Sequence, residues 1–507
     1  MIQREPLFIP KGEAMNIVLL TPRRRFIANR WGLGYQIPLG LVLLGGPLRD
    51  AGHQVRLIDN DRLGWDDARL VAELAQDPPD CIMLGHTGST AAHPVAMATA
   101  HHLRQAFPWV QVVYGGVYPT YAARSIMQAN PAIDVIVHGE GEATAVELAA
   151  TLAESDPNLA QIKGITWRDR GQIVTNPVRP PITNLDQYRP GWELIDWDAY
   201  QLFGFGRAAG IQFSRGCTLR CTYCGQWSFW RHWRHRSPQN FADALEKLVR
   251  DYGVRIVWLA DENFAADREV ARQVLEAVAA RNLGISLNLN MTAADVVRDA
   301  DLLPLYKHAG VDNIVMGVEA LDDATVAKVR KNNPFATSRQ AVQLLRQHNI
   351  VSLVNIIYGL EDETFATLRH TLRRLFVLDA DVVNAVYITP HHWTEAGRQV
   401  DSAQIIEPDQ ARWTYRNQIV RTPHLSPWQL LVGVKITEAL FHLRPRALWR
   451  MVSGPDGRYR KLLRAYLAVG ARVVVAEALE FLLDRRRSGQ STPTLAQNVQ
   501  NPSPVRP

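Results

Sequence analysis

Of the four cysteines in 507 residues, three fall at 217, 221 and 224, within FSRGCTLRCTYCGQWSFWRHWRHR, which runs from Phe213 to Arg236. Three thiolates on one short loop can hold three corners of an iron–sulfur cube. The fourth iron then has no protein ligand and is open to a substrate-like molecule. Structural zinc is the alternative; it ordinarily takes four Cys or His ligands, so His232 or His235 would have to complete the set. The remaining cysteine, Cys81, sits in an apolar run and reads as a buried core residue. Trp227, Phe229, Trp230 and Trp233 follow the cysteines at once, with Arg231, Arg234 and Arg236 interleaved. They read either as a packed helix with solvated arginines or as a surface for a planar aromatic ligand that carries carboxylates. Each ring offers about 150–250 Å², so two rings on a flat ligand could contribute several kcal/mol at about 25 cal/mol per Å². An exposed arginine–carboxylate pair adds roughly 0–1 kcal/mol. The rings would supply affinity and the arginines orientation. Single-stranded nucleic acid also suits aromatics with arginines, but no appended RNA-binding module is evident.

The elements that must position these residues follow from periodicity. NIVLL (16–20), VRLID (55–59), CIMLGH (81–86), VQVVYGG (110–116) and DVIVHGEGE (134–142) read as strands, separated by helix-like stretches such as 38–51 and 91–106. This alternation predicts an α/β, Rossmann-like domain over 15–150, with a parallel sheet covered on both faces. Ligands of such sheets sit outside the C-terminal strand ends. Here those ends carry Thr21-Pro22, Gly85 to Thr90, Gly115-Gly116 and Gly139 to Glu142. Tight turns account for single glycines, but several small strand-end residues together let a ligand approach the backbone. Residues 151–205, rich in proline and charge, predict a hairpin and an extended connector. A second alternation over 206–400 begins with IQFS (211–214) and continues through RIVWLAD (255–261), ISLNLN (285–290), NIVMGVE (313–319), SLVNIIYGL (352–360) and VVNAVYITP (382–390). Six βα units predict a partial (β/α)6 barrel with its functional groups at the C-terminal strand ends. The cysteines follow its first strand. Residues 401–485 read as a C-terminal helical region with amphipathic stretches at 428–443 and 459–483. The tail 486–507 is polar and proline-bearing and is expected to be disordered.

Composition narrows the setting. Hydrophobic content of 47% and charged content of 21% are those of an ordinary soluble protein. The net charge of +6, from 56 Lys+Arg against 50 Asp+Glu, fits anionic small molecules or lipid surfaces as well as nucleic acid. So few cysteines exclude a disulfide framework and point to a reducing compartment. The first residues lack a basic start followed by an apolar stretch, so no export signal is read. The most apolar late segment, 466–483, is broken by Arg472, Glu477 and Glu480 and is too charged to span a bilayer. A cytoplasmic protein is expected, with peripheral membrane association left open.

CxxxCxxC after the first strand of a barrel resembles the radical S-adenosylmethionine (radical SAM) superfamily. The resemblance implies a 4Fe-4S cluster on Cys217, Cys221 and Cys224, whose free iron chelates S-adenosylmethionine; one electron then splits the sulfonium to an adenosyl radical. WLADENF (258–264) resembles the family's second-strand segment, which implies that Asp261 and Glu262 hold the methionine amino group. MGVEAL (316–321) implies a ribose contact at Glu319, and IIYGLEDET (356–364) implies an adenine contact at Gly359. Tyr223 matches the family's aromatic before the last cysteine. The N-terminal domain reads as a nucleotide or flavin module, or as a cobalamin module. It resembles the cobalamin-binding half of class B radical SAM proteins through YGGVYPT (114–120) and HGEGE (138–142). With the strand-end Gly85, that implies corrin contacts at Gly115, Gly116, Gly139 and Glu140. The Asp-x-His-x-x-Gly signature of a lower histidine ligand is absent; HTGSTAAHP (86–94) carries histidines outside that frame.

A narrower resemblance covers roughly 15–485. The cysteine segment through RHRSP, then LADENF, then LSPWQLLVGVKITEALFHLRPRALWRMV (425–452), is similar to the anaerobic magnesium-protoporphyrin IX monomethyl ester oxidative cyclases. It implies oxygen-independent cyclisation of magnesium-protoporphyrin IX 13-monomethyl ester to a protochlorophyllide, with oxygen from water, in bacteriochlorophyll and chlorophyll biosynthesis. The implied partners are a tetrapyrrole substrate and an external electron donor, with no nucleic acid. Trp227, Trp230, Arg231 and Arg234 become candidate substrate contacts. Two alternatives stand beside it. One is a cobalamin-dependent radical SAM C-methyltransferase acting on a tetrapyrrole or other natural product. The other is a binding protein that senses redox state or light.

Overall fold

The computed structural model describes residues 14–23, 36–86, 90–202, 204, 206–331 and 333–487, with side chains through 483. Two parallel sheets organise it. The first contains β1 (Asn16–Thr21), β2 (Gln54–Asp59), β3 (Cys81–Leu84), β4 (Gln111–Gly115), β5 (Val135–Val137), β6 (Ile165–Asp169) and β7 (Gln172–Thr175), in the order β2-β1-β3-β4-β5-β6-β7. Strands β1 to β5 are parallel, and the β6–β7 hairpin joins antiparallel at one edge. Alternate residues of β1 and β3 enter different cores. Val18, Leu20 and Ile82 pack with Ala96, Ala100 and Leu103 of the helix His93–Ala106. Ile17, Leu19, Cys81 and Met83 pack with Leu41 and Leu48 of the helix Leu39–Asp50. A strand buried on both faces must be apolar throughout, which is why these segments read as unbroken hydrophobic runs. Cys81 is fully buried, and burial pushes its thiol far up. The order β2-β1-β3 reverses the winding between β1 and β3, which opens a crevice at their C-terminal ends.

The second sheet holds β8 (Ala208–Ile211), β11 (Ile256–Leu259), β12 (Ser286–Met291), β13 (Val311–Glu319), β14 (Val351–Tyr358) and β15 (Val382–Tyr387), all parallel and in sequential order. Among the described residues β15 and β8 do not pair, so the barrel is partial. The helices between strands start and stop where the sequence signals them. Pro238–Tyr252, for example, begins after Ser237, whose hydroxyl accepts the Asn240 N–H, and ends at Gly253 with φ +67°. The expected first strand at 211–214 is displaced: β8 ends at Ile211, and β9 (Ser214–Arg215) turns away to pair antiparallel with β10 (Arg234–His235). The expected strand 134–142 stops at Val137 because Gly139 takes φ +67° and a helix starts at Glu142.

Residues 151–205 contribute the β6–β7 hairpin to the first sheet and then bury Trp192, Trp197 and Tyr200 in the barrel core. The Tyr200 hydroxyl donates to Asp59 at 2.6 Å, tying the segment back to β2. The C-terminal region is formed by helices Pro427–His442, Pro445–Ser453 and Gly457–Arg487. Ser426-Pro427-Trp428-Gln429 starts the first of these as a capping box. That helix is not amphipathic as expected: it is apolar on its buried and on its exposed side. Beyond Arg487 the tail lies outside the described residues. No helix among the described residues is long and apolar enough to cross a membrane.

Candidate functional site

The C-terminal ends of both sheets open into one cavity of about 780 Å³. Its N-terminal wall includes Gly85, His86, Gly115, Gly116, Gly139 and Glu140. Gly116 and Gly139 have φ of +117° and +67°, and a Cβ at either would meet nothing within 4 Å. Their backbone forms a bare wall, which suits the edge of a flat macrocycle. Gly115 is similar, with Val137 its nearest neighbour at 3.8 Å. Gly85 is small for a different reason: a Cβ there would strike Leu41 Cδ2 at 2.6 Å, so it serves helix packing as well. His86 faces the cavity with its Nε2 2.8 Å from the Tyr114 hydroxyl. These residues fit a corrin lying against the strand ends.

The cysteine loop forms the opposite wall and is clamped at both ends. Gly216 has φ +97°, and a Cβ there would overlap the backbone of His232 and Trp233, at 2.8 and 3.0 Å. Only glycine lets β9 and β10 close beneath the loop. At the far end a Cβ on Gly225 would run into the Trp393 indole. Tyr121, from the N-terminal domain, donates to the Gly225 carbonyl at 2.7 Å and stacks on Trp393 with centroids 5.5 Å apart. Thr222 N–H donates to Val329 and its carbonyl accepts from Ala396 N–H, at 3.2 and 3.0 Å. Cys221 is buried and Cys217 and Cys224 are half-buried. Burial raises all three thiols, Cys224 to about 12, so a metal must displace the protons. Among the described residues no three His, Cys, Asp or Glu side chains converge on a point that could hold one metal ion. The thiolates of a cube bind different irons and need no common point, so the loop suits a cluster better than a zinc ion. His232 is exposed, and His235 Nδ1 lies 2.8 Å from the Arg236 carbonyl.

The acidic candidates divide. Glu262 lines the cavity, where its Oε1 accepts from Trp230 Nε1 at 3.3 Å, and burial raises its carboxyl to about 7. Asp261 does not line it. Its oxygens accept from Phe213 N–H, Ser214 N–H and Ser214 Oγ at 2.9, 2.8 and 2.6 Å, which braces the strand below the cysteine loop. Glu319 ends β13 at φ +67°, beside a break in register, and faces the cavity. It pairs with Lys331 at 3.2 Å and hydrogen-bonds Tyr223, another cavity residue. Burial works against the Lys331 ammonium, but Glu319 and the Cys221 and Cys217 thiols outweigh it and hold its pKa up. Gly359 lies off the cavity: its φ is +78°, its N–H donates to Glu363 at 3.2 Å, and a Cβ would touch Leu430 and Tyr387 at 3.6 Å.

Of the aromatic–arginine run, only Trp230 among the proposed substrate contacts lines the cavity. Arg215 lies over its ring, 5.3 Å from the centroid. Trp227 sits outside with Arg220 over it at 5.7 Å, and Arg231 is exposed at φ +65°. Arg234 and Glu140, expected at substrate and corrin, are paired with each other at 2.8 Å, and of the two Glu140 also lines the cavity. Arg215 joins them, 3.3 Å from Glu140 and bonded to Glu142, and Ile182 N–H donates to Glu140 at 2.5 Å. Burial alone would raise the Glu140 carboxyl, but Arg234, Arg215 and the Ile182 N–H outweigh it and hold it low. This buried seam joins the Gly139–Glu142 turn to the base of the cysteine loop.

The third wall, from His391, Trp393 and Tyr415, was missed in the sequence, as were the roles of Arg215 and Lys331. His391 Nδ1 lies 2.9 Å from Thr90 Oγ1 and its ring stacks on Trp393 at 4.7 Å. Burial lowers its pKa to about 4, so the ring is neutral near pH 7. The signal was positional: HHW (391–393) follows the last barrel strand, where functional groups gather.

Residues 211–375 match the Radical SAM superfamily and residues 33–149 match the B12 binding domain. The anaerobic magnesium-protoporphyrin IX monomethyl ester cyclase of Synechocystis sp. is 39% identical over 481 residues, covering 95% of this chain and 96% of that protein. The cyclase of the same description from Cereibacter sphaeroides is 31% identical over 456 residues, or 88% of this chain and 73% of that protein. The solved radical S-adenosylmethionine methyltransferase TsrM from Kitasatospora setae, with cobalamin and a 4Fe-4S cluster bound, shares the fold at a TM-score of 0.67 and 17% identity, over 92% of this chain and 100% of that one. With both domains matched and this identity sustained along nearly its whole length, the chain belongs to the family of anaerobic magnesium-protoporphyrin IX monomethyl ester cyclases, within the radical SAM superfamily.

Proposed function

We propose that this chain closes the isocyclic ring of magnesium-protoporphyrin IX 13-monomethyl ester without molecular oxygen, yielding a protochlorophyllide whose new oxygen comes from water. Its cofactors are a 4Fe-4S cluster, S-adenosylmethionine and cobalamin. The observation that carries this reading is the single cavity into which the cysteine loop and the glycine turns both open. When bound, the cluster and S-adenosylmethionine supply an adenosyl radical that can take hydrogen from a carbon next to the macrocycle, with cobalamin on the facing wall.

The chain's own residues bind and orient. Cys217, Cys221 and Cys224 hold three irons. Glu262 would accept from the methionine amino group; burial raises its carboxyl to about 7, so it is ionised for this role above that pH. Asp261 acts at one remove, as a positioning residue that fixes Phe213 and Ser214 beneath the loop. Glu319, steadied by Lys331 and Tyr223, accepts from ribose hydroxyls. Gly359 shapes the end of β14 through its N–H to Glu363. Gly115, Gly116 and Gly139 leave their strand ends open to the corrin. Trp230 offers an aromatic face to the substrate, and Trp393 lines the same cavity beside Gly225. Geometry is the main requirement, because the target carbon must be held next to the reacting methylene.

The test is anaerobic reconstitution with iron, sulfide and cobalamin, followed by the monomethyl ester, S-adenosylmethionine and an external reductant. Absorption and mass should report protochlorophyllide together with 5′-deoxyadenosine. A product heavier by one methyl group, with S-adenosylhomocysteine, overturns the reading in favour of a methyltransferase. Absence of S-adenosylmethionine cleavage by the loaded, reduced protein points to a sensor.

A further inference from the structure

Helix Pro427–His442 presents apolar residues on two sides. Leu430, Val434 and Phe441 are buried. Across the helix, Trp428, Val432, Ile436 and Leu440 recur every fourth residue, so they form one stripe, and they are 47%, 45%, 53% and 51% exposed. Leu443, at 55%, extends it. Two helices packed against it carry exposed apolar residues of their own. Pro445–Ser453 adds Leu448, Trp449 and Val452, the last two at 70%, and Phe365–Leu378 adds Phe365, Phe376 and Val377 at 41–53%. A helix apolar all round is ordinarily buried all round, and a contiguous exposed apolar patch marks a surface that meets something else.

Charge identifies what it meets. Of the cations on these three helices, Arg450 is held by Asp379 and Asp381, Lys435 by Glu438 and Glu477, and Arg374 lies over Phe335. That leaves Arg369, Arg373 and Arg446 to face outward with no acid of the same helices beside them except Glu438. Arg369, Arg373 and Arg446 are exposed. A second copy docked by a two-fold axis would set this basic face against itself. An anionic lipid surface takes both the arginines and the apolar stripe, and tryptophans such as Trp428 and Trp449 favour headgroup depth. We propose that this face seats the protein on an anionic bilayer surface, with the Trp428–Leu440 stripe and Trp449 in the headgroup–acyl boundary. The inference goes beyond the reaction and stands or falls separately from it. It places the bilayer one helix layer from the cavity, because Pro427–His442 backs β15, where Glu438 accepts the Ala385 N–H at 3.2 Å, and the end of β15 lines the cavity.

Flotation of the full chain with vesicles tests this directly. The protein should float with phosphatidylcholine–phosphatidylglycerol vesicles at low salt, and about tenfold or more weakly with phosphatidylcholine alone or at high salt. Ile436→Glu with Leu440→Glu should abolish flotation, and Arg369→Glu with Arg446→Glu should lose the preference for anionic lipid. Thermal midpoint and bound iron are measured on each variant. If the helix variant unfolds, Trp449→Ser with Val452→Ser, at the most exposed positions, replaces it and should weaken flotation several-fold. Failure of the wild type to float overturns the proposal. So does a wild-type dimer in sedimentation that Ile436→Glu dissociates without any change in flotation, which assigns the face to a second copy. Flotation that persists in all the variants overturns it as well.

Discussion

Between the domains, Arg215, Arg234, Glu140 and Glu142 keep charge inside, none of their side chains more than 12% exposed; on the C-terminal helices, Trp449 and Val452 stand 70% exposed. The usual partition is reversed in both places. The two reversals differ in kind. A buried ion network adds little net stability over an apolar isostere, yet removing one partner costs about 3–5 kcal/mol because the other charge is left uncompensated. The seam therefore acts as a register device: it admits one docking of the Gly139–Glu142 turn on the cysteine loop. Among the described residues the apolar face has no such internal partner. Its cost is borne in solvent and is relieved by a surface that covers it. Charge held inside speaks of the molecule's own geometry, and apolar surface held outside speaks of its surroundings.

Four perturbations would break or sharpen this contrast. The largest effect is expected at the loop the seam holds. Cys217→Ala, Cys221→Ala or Cys224→Ala should each abolish 5′-deoxyadenosine formation, whereas Cys81→Ala, in the other core, should keep it; equal loss at Cys81 would show the ligands to be misassigned. Next is the seam itself. Arg215→Met leaves the buried Glu142 carboxylate without its guanidinium, while Glu140 keeps Arg234, and should cost about 3–5 kcal/mol in denaturant unfolding. Adding Glu142→Gln should return much of that loss, since Glu140 keeps Arg234 and no other carboxylate is then orphaned by the missing guanidinium. A double variant as unstable as the single would mean that packing, not charge, accounts for the cost. Gly139→Ala comes third. Its φ of +67° makes any side chain cost roughly 1–2 kcal/mol, and the methyl group enters the open wall, so cobalamin retention should fall more than stability does.

The smallest effect is a pH dependence. Burial raises the Glu262 carboxyl to about 7, so below that pH the cofactor-free protein holds it neutral. Affinity for S-adenosylmethionine should rise as pH climbs through about 7 and then level off, because the ammonium needs the carboxylate. Calorimetry of Glu262→Gln should show weaker binding without this slope. An unchanged slope would move the titration to another group. Exposed-face substitutions provide the baseline: Val452→Ser should shift stability by no more than about 0.5 kcal/mol, however strongly it alters flotation.

Local chemistry and period made part of this legible in one dimension. The spacing of Cys217, Cys221 and Cys224 specifies a cluster loop wherever it is placed. The unbroken apolar runs at β1 and β3 announce strands covered on both faces, and the glycines at 115, 116 and 139 mark strand ends that need a bare backbone. Direction and distance were not legible. Asp261 and Glu262 are adjacent, yet one faces the loop's base and the other the cavity. Arg234 and Glu140 read as two ligand contacts because their pairing spans 94 residues. The period of 428–443 announces a helix, but whether its second apolar side is covered depends on what lies beside it.

The sequence by itself determined two parallel α/β units, a three-thiolate loop and a set of glycine turns, because each depends on residues close together in the chain. Only the tertiary structure decided that the loop and the turns share one cavity, that a ring of charges seals them together, and that an apolar helix face was left outside. Those outcomes depend on which strand ends meet and where each side chain is aimed, and both are settled by packing between residues far apart in the chain.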